Sequence, residues 1–307
     1  MGDLSSDHRA EKRSDGNAGQ EQGFACYMLG LTGDRFRGQG LLSRLQALGL
    51  PCTFVEGIDA RVAPAGALGS RVDQEAALLA YGARLSDGVV ACAIGHQMMY
   101  RRFVESHADW ALIFEDDAKL YHDPRLLMES LRGMHAPTIV QLNVNRSPYV
   151  IEQRDVWAGG QEMHLTLRRH FDPAFGTHAY LINRAAAMIA IQCSDRYRIV
   201  NPADWPFLWR SNVEFWDVIP ELSQPQSISD STIDAVSRRG VGPYAHRHDP
   251  LRLRKLLIDF TGYSSLRLWA MGYPLGTSLR ERLTRPLYRA GWKIKNIAKS
   301  CFSRKRR

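Results

Sequence analysis

Long apolar runs are missing from this chain. The longest such stretch, Ala179 to Cys193, is broken by Asn183 and Arg184. Nothing approaches the roughly eighteen apolar residues that a membrane-spanning helix needs. The N-terminus has no apolar signal-peptide core, which makes the cytoplasm the expected compartment. Cysteine is sparse and unpaired in spacing. Cys26, Cys52, Cys92, Cys193 and Cys301 are odd in number and far apart. That excludes a redox or metal motif written in the sequence and predicts reduced thiols among apolar neighbours. Histidine is scattered, and the close pair His246 and His248 has no Cys or His nearby to complete a zinc site. Internal repeats are absent too. Residues 1–22 hold a single large apolar residue, Leu4, too little to bury a core, and are expected to form a disordered tail.

Acids are nearly missing from the other end. Residues 251–307 carry fifteen Lys or Arg against Asp259 and Glu281 alone, a local charge of +13 in a chain of +8. The first 250 residues therefore carry −5. A mildly acidic body with a strongly basic tail implies an anionic partner for the tail.

What is present is an ordinary globular balance, 45% hydrophobic and 23% charged in 307 residues. Phe24 to Leu29 reads as a strand. Arg35 to Leu48 reads as a helix with Leu41, Leu42, Leu45 and Leu48 at helical spacing and Gly49 as its stop. Cys52 to Val55 is a second strand, residues 56–88 are loops, and Val89 to Val104 is helical. Trp110 to Phe114 is a strand, Asp123-Pro124 opens a helix, and Thr138 to Leu142 is a strand. Residues 144–170 form a loop or hairpin, and Thr177 to Ile182 is a strand followed by a helix capped by Asn183. This alternation predicts an α/β fold with a mostly parallel central sheet flanked by helices.

The apolar strand 110–114 runs directly into Glu115-Asp116-Asp117. Carboxylates at the end of a buried strand are costly without a positive partner. A hard divalent cation, Mg2+ or Mn2+ rather than Zn2+, suits an all-oxygen set. Carboxyl ends of strands are also where open α/β sheets bind ligands. The plainer reading is acidic loop and cap residues. In an extended segment Glu115 and Asp117 share one side and Asp116 takes the other. His96 lies on a helical face with Cys92, Met99 and Phe103, so it is either a core histidine or a ligand contact. Arg35 either neutralises a phosphate or is a solvated charge on the first helical turn. His178 and Tyr180 alternate along their strand. Trp205, Trp209 and Trp216 either stack on sugar rings or fill core and rim.

Four blocks in order resemble glycosyltransferase family 25, the bacterial lipopolysaccharide and lipooligosaccharide galactosyltransferases among them. They are Leu31-Thr32-Gly33-Asp34-Arg35 with Leu48-Gly49-Leu50-Pro51; Ala91-Cys92-Ala93-Ile94-Gly95-His96; Ala111 to Asp117; and Gly176 to Ala186 followed by Pro202-Ala203-Asp204-Trp205. The resemblance covers roughly residues 24–232. It departs from the family in Met28-Leu29-Gly30-Leu31, where an Ile-Asn-Leu is usual, in Ala91, where the family has Gly before the Cys, and in Gly95, where the family has Ser before the His. The resemblance implies a GT-A-type nucleotide-diphospho-sugar transferase fold, a UDP-sugar donor, Mn2+ or Mg2+, and inversion at the anomeric carbon. It implies Asp117 and Glu115 at the metal. Thr32, Arg35, His96, Glu115 and Asp116 fall toward the donor, with Asp116 in a supporting or capping place. It implies Asp204 as the base that takes the acceptor proton, the alternative being a loop or cap Asp. The acceptor it implies is a lipopolysaccharide or related surface glycan, which places the enzyme peripherally at the inner face of the membrane.

On this reading residues 1–22 are a tail, 23–249 the catalytic domain and 250–307 a basic amphipathic extension. Two other classes share the features: a divalent-metal phosphohydrolase, and a non-catalytic adaptor held to anionic lipid by its tail. Nucleic acid is the weaker partner, because aromatics are not interleaved with the tail's charges. Leu287, Ala290, Ile294, Ile297 and Cys301 make an apolar stripe among Arg289, Lys293, Lys295 and Lys299. Such a segment can lie among lipid headgroups, each basic residue adding about 1 kcal/mol at an anionic surface. Deleting residues 286–307 is expected to release the chain from anionic vesicles in a sedimentation assay. Equal binding by full-length and shortened chains at low and high salt would show that these residues are not a membrane anchor.

Overall fold

The computed structural model describes residues 24–64, 66–80, 84–131, 133–144, 150–158, 163–170, 176–203, 212–226 and 271–272. The expected tail 1–22, most of the extension 250–307, Asp204, Trp205, Trp209 and the side chain of Arg35 lie outside that set.

Along the chain come β1 (Phe24–Gly30), a 3-10 turn (Thr32–Asp34), α1 (Arg35–Ala47), β2 (Thr53–Glu56), α2 (Gln74–Ala80) and α3 (Asp87–Glu105). Next are β3 (Trp110–Glu115), β4 (Ala118–Leu120), a 3-10 turn (Pro124–Leu127), α4 (Met128–Leu131) and β5 (Thr138–Gln141). Then follow β6 (Val150–Ala158), β7 (Met163–His170), β8 (Ala179–Asn183), α5 (Arg184–Arg196), β9 (Glu214–Ile219) and β10 (Ser223–Pro225). Eight strands form one sheet in the order β2-β1-β3-β8-β5-β9-β7-β6, and β4 pairs with β10 in a small antiparallel ribbon.

The sheet is mixed, which corrects the mostly parallel sheet expected from the alternation. β1 is parallel to β2 and β3, and β5 to β9. β8 lies antiparallel between β3 and β5, and the β6–β7 hairpin joins antiparallel to β9. A strand–helix alternation does not fix direction when a hairpin and an inserted return strand complete the sheet. Helix α2 and strands β4, β9 and β10 were not foreseen. Asp73 accepts a hydrogen bond from the Ala76 amide at 2.9 Å and so caps the first turn of α2, a signal short enough to be lost in loop residues.

Side chains alternate across the strands as pleating requires. Tyr27, Leu29, Ala111, Ile113, Tyr180 and Ile182 face a core built with Met99, Tyr100 and Phe103 of α3 and Ala186, Ala187 and Ala190 of α5. Cys26, Met28, Leu112, Phe114, Ala179 and Leu181 face the opposite core with Leu41 and Leu45 of α1. Met271, from the basic extension, packs against the α3–α5 core. Trp216 is fully buried in the α1-side core, so it fills space rather than waiting for a sugar. Cys26 and Cys52, remote in sequence, meet across β1 and β2. The Cys26 thiol is pushed far up by its hydrogen bond to Cys52 and by burial.

Local signals end and start the helices as read. Gly49 has φ +68, its amide donates to Gln46 O and the Leu50 amide to Leu45 O, the two bonds of a Schellman stop. Asn183 Oδ1 accepts from the Ala186 amide at 3.0 Å and also from Thr138 N, tying α5 to β5. The Arg184 guanidinium donates to the carbonyls of Val104, Ser106 and Ala108, which locks the end of α3 against the start of α5.

Gly95 on α3 lies against Leu29 on β1. A Cβ at position 95 would sit 2.6 Å from Leu29 Cδ1 and 2.7 Å from Cδ2. Gly95→Ala is expected to destabilise the fold by about 1 kcal/mol, overpacking exceeding the helix-propensity gain of roughly 1 kcal/mol. In a Leu29→Ala background the same change is expected to turn stabilising. Urea unfolding of the double-mutant cycle checks this, and additive effects would mean that the two positions do not interact.

Candidate active site at the carboxyl ends of β1 and β3

β2 and β3 flank β1 on opposite sides, so the chain switches direction across the sheet at β1. Such a switch leaves a crevice beyond the carboxyl ends of the strands. A pocket lies there, between the end of β1 (Leu29 to Leu31), residues 57–61, Ala91 and Cys92 of α3, and Glu115 and Asp116. Gly30 makes it possible. A Cβ at that position would lie 2.9 Å from the Phe54 ring and 3.2 Å from Asp116 Oδ2.

Strand β3 ends at Glu115, so the alternation expected for Glu115, Asp116 and Asp117 does not continue past it. Asp116 and Asp117 instead turn together onto Arg37. Its Nε lies 3.5 Å from Asp116 Oδ1, and its Nη2 donates to Asp117 Oδ2 at 2.9 Å. Glu115 goes elsewhere. Its Oε1 accepts from the Thr177 hydroxyl and lies 3.1 Å from His96 Nε2. The other ring nitrogen, Nδ1, is 2.8 Å from the Tyr180 hydroxyl, which is 2.8 Å from that of Tyr100. The Glu115 amide donates to His178 O. Three of the four blocks thus converge on Glu115, although 62 residues separate Glu115 from Thr177.

These partners split three adjacent carboxyls. Burial works against ionising Glu115, but His96 and Thr177 outweigh it and hold the carboxyl below its ordinary value. Asp116 is raised by burial, with Arg37 opposing. Asp117 is pushed up to about 7 by burial and by the Glu115 charge, more than Arg37 can offset. Asp117 Oδ1 is buried without a hydrogen-bond partner among the described residues. Burial also lowers His178, whose Nε2 has no partner among those residues.

The remaining residues singled out in the sequence fall around this centre. Thr32 is exposed on the turn after β1 and its hydroxyl bonds Glu56. His96 is 2% exposed, a core histidine that also grips a site carboxylate. Arg37 and Arg61 were missed. Arg37 lies beside Gly38, Leu41 and Leu45, the face of α1 that meets the sheet, and helix phase rather than motif spacing marks it. Arg61 reaches Asp34 at 3.0 Å and Asp59 at 2.7 Å on the pocket wall, and its bond lowers the Asp59 carboxyl.

A mixed α/β sheet with a carboxylate cluster at its switch point defines a ligand-binding enzyme scaffold. The chain belongs to glycosyltransferase family 25 (LPS biosynthesis protein), whose family model matches residues 24–205, and is accordingly a glycosyltransferase. No curated protein matches it. Among solved structures, the crystal structure of mannose-1-phosphate geranyltransferase from Thermus thermophilus is similar, with a TM-score of 0.31 and 10% identity over 63% of this chain and 73% of that one. That likeness is too distant to bear on the chemistry.

A carboxyl raised from 3.8 to about 7 holds its proton more tightly in the folded than in the unfolded chain. Asp117 therefore costs nothing below roughly pH 4, and stability falls as pH rises from there to about 7. Asp117→Asn is expected to match wild type near pH 4 and to exceed it increasingly up to pH 8. Melting temperatures across that range check the sign, and a difference independent of pH would show that Asp117 titrates normally.

Proposed function

We propose that this glycosyltransferase moves a hexose, galactose in the first instance, from a UDP-sugar to a lipopolysaccharide or related surface glycan, with inversion and with Mn2+ or Mg2+. The observation that carries the metal reading is the buried Asp117 Oδ1. Among the described residues it has no partner, and it lies beside two further carboxyls and one neighbouring guanidinium, Arg37. A site with that excess of negative charge and oxygen donors fits a hard divalent ion. Asp117 would hold it, with Glu115 and Asp116 beside it. When bound, such an ion neutralises the charge that develops on the leaving diphosphate.

The chain's own residues do the rest. His96 and Thr177 keep Glu115 ionised and fixed. The pocket over Gly30, Gly57 and Ala91 receives the nucleoside, with Arg61 on its wall for the phosphates, and Thr32 and Arg35 are proposed for the ribose and phosphates from the motif that they belong to. Asp204 is proposed as the base that takes the acceptor proton. Met271 packed on the core favours residues 286–307, rather than the whole extension, as the part that meets an anionic membrane.

Purified protein, donor, Mn2+ and a glycan acceptor test this reading through UDP release. Release should require acceptor and stop in excess EDTA. Asp117→Asn should lose at least about a hundredfold in rate, the scale of removing a main electrostatic stabiliser. Asp204→Asn should lower turnover far more than donor affinity. Release that proceeds equally without acceptor would instead identify a phosphohydrolase, and full activity in EDTA would remove the metal.

A further inference from the structure

We propose that Cys92, His96 and Glu115 form a second metal site, selective for a soft or borderline divalent ion of the zinc class. One donor atom from each, sulfur, imidazole nitrogen and carboxylate oxygen, lies within 4.8 Å of the others. Cys92 and His96 are one turn apart on α3 and share a face. Glu115 comes to them from the end of β3. No sequence spacing announces this set, because the third donor lies on a different element.

The donor chemistry separates this set from Asp116 and Asp117. Thiolate and imidazole prefer Zn2+ over Mg2+ or Mn2+, which take oxygen. The second sphere is already in place. Nε2 of His96 faces Glu115, while Nδ1 is 2.8 Å from the Tyr180 hydroxyl, itself bonded to Tyr100. Before an ion binds, Nε2 donates to Glu115; once an ion takes the Nε2 lone pair, the ring proton sits on Nδ1 and is donated to Tyr180, the arrangement by which proteins orient a ligating histidine. Cys92 and Glu115 both line the pocket beyond the ends of β1 and β3, so a fourth position opens on it. On binding, the Cys92 thiol loses its proton to solvent. That release makes affinity rise with pH. Glu115 is common to both donor sets, so an ion here withdraws it from the carboxylate cluster.

The test uses the full-length chain, without sugar nucleotide, so it stands or falls separately from the transfer reaction. Titration with Co2+ is expected to give a thiolate-to-cobalt charge-transfer band in the near ultraviolet at one ion per chain, bleached by Zn2+. Cys92→Ser should abolish the band. Tyr180→Phe should keep it and weaken binding about tenfold, the usual cost of losing a partner behind a ligand. Asp117→Asn should keep both band and affinity. On wild-type protein, Zn2+ should protect Cys92 from alkylation, read residue by residue by mass spectrometry, and this needs no variant to fold. No charge-transfer band at saturating Co2+ would overturn the proposal. So would a band that survives Cys92→Ser, which would assign it to Cys26 and Cys52, or alkylation of Cys92 at an unchanged rate in Zn2+.

Discussion

The ionised carboxylate of Glu115, gripped by His96 and the Thr177 hydroxyl at the end of a buried strand, is the contact on which the site depends. A charge in that position is tolerable only when its partners are held as firmly as it is. His96 is held by Tyr180, and Tyr180 by Tyr100. Thr177 arrives on the approach to β8. β8 must run antiparallel to β3 for that approach to open beside the end of β3. The mixed sheet is therefore part of the site's construction. Arriving and departing chain segments serve the same edge.

Partner assignment also explains how three consecutive carboxyls come to differ. Glu115 has a hydroxyl and an imidazole of its own and is held below the ordinary range. Asp116 and Asp117 divide one guanidinium between them and are raised. Sequence-neighbouring acids thus divide into an anchored anion and a pair that holds protons more readily than in water. In the proposed chemistry a bound cation would displace the Asp117 proton into solvent, which couples metal affinity to pH near neutrality.

Much of the fold was legible because its signals are local. Gly49 ends α1 and Asn183 starts α5 by backbone and amide geometry that involves residues within a few positions. β9 was hidden because Asp217 interrupts its apolar run, yet Asp217 is fully buried against Arg168 and His170 of β7. No local pattern discloses a charge that is paid for across a sheet. The acidic triplet stood out at once, whereas its counter-charge did not. Arg37, which the rotation of α1 brings to the carboxylates, belongs to none of the motif blocks. The same holds for Cys26 with Cys52, and for His96 with Glu115: the partners lie on elements whose adjacency only the sheet order fixes.

Leu29 against Gly95 fixes how near α3 lies to β1. The leucine side chain occupies the volume that a larger residue at position 95 would need. Ala91 and Cys92 on the same helix, and Leu29 and Gly30 on the same strand, line the pocket. The gap between strand and helix at that contact is thus also the width of the pocket's inner end, so a glycine buried one turn away sets the room that a ligand finds.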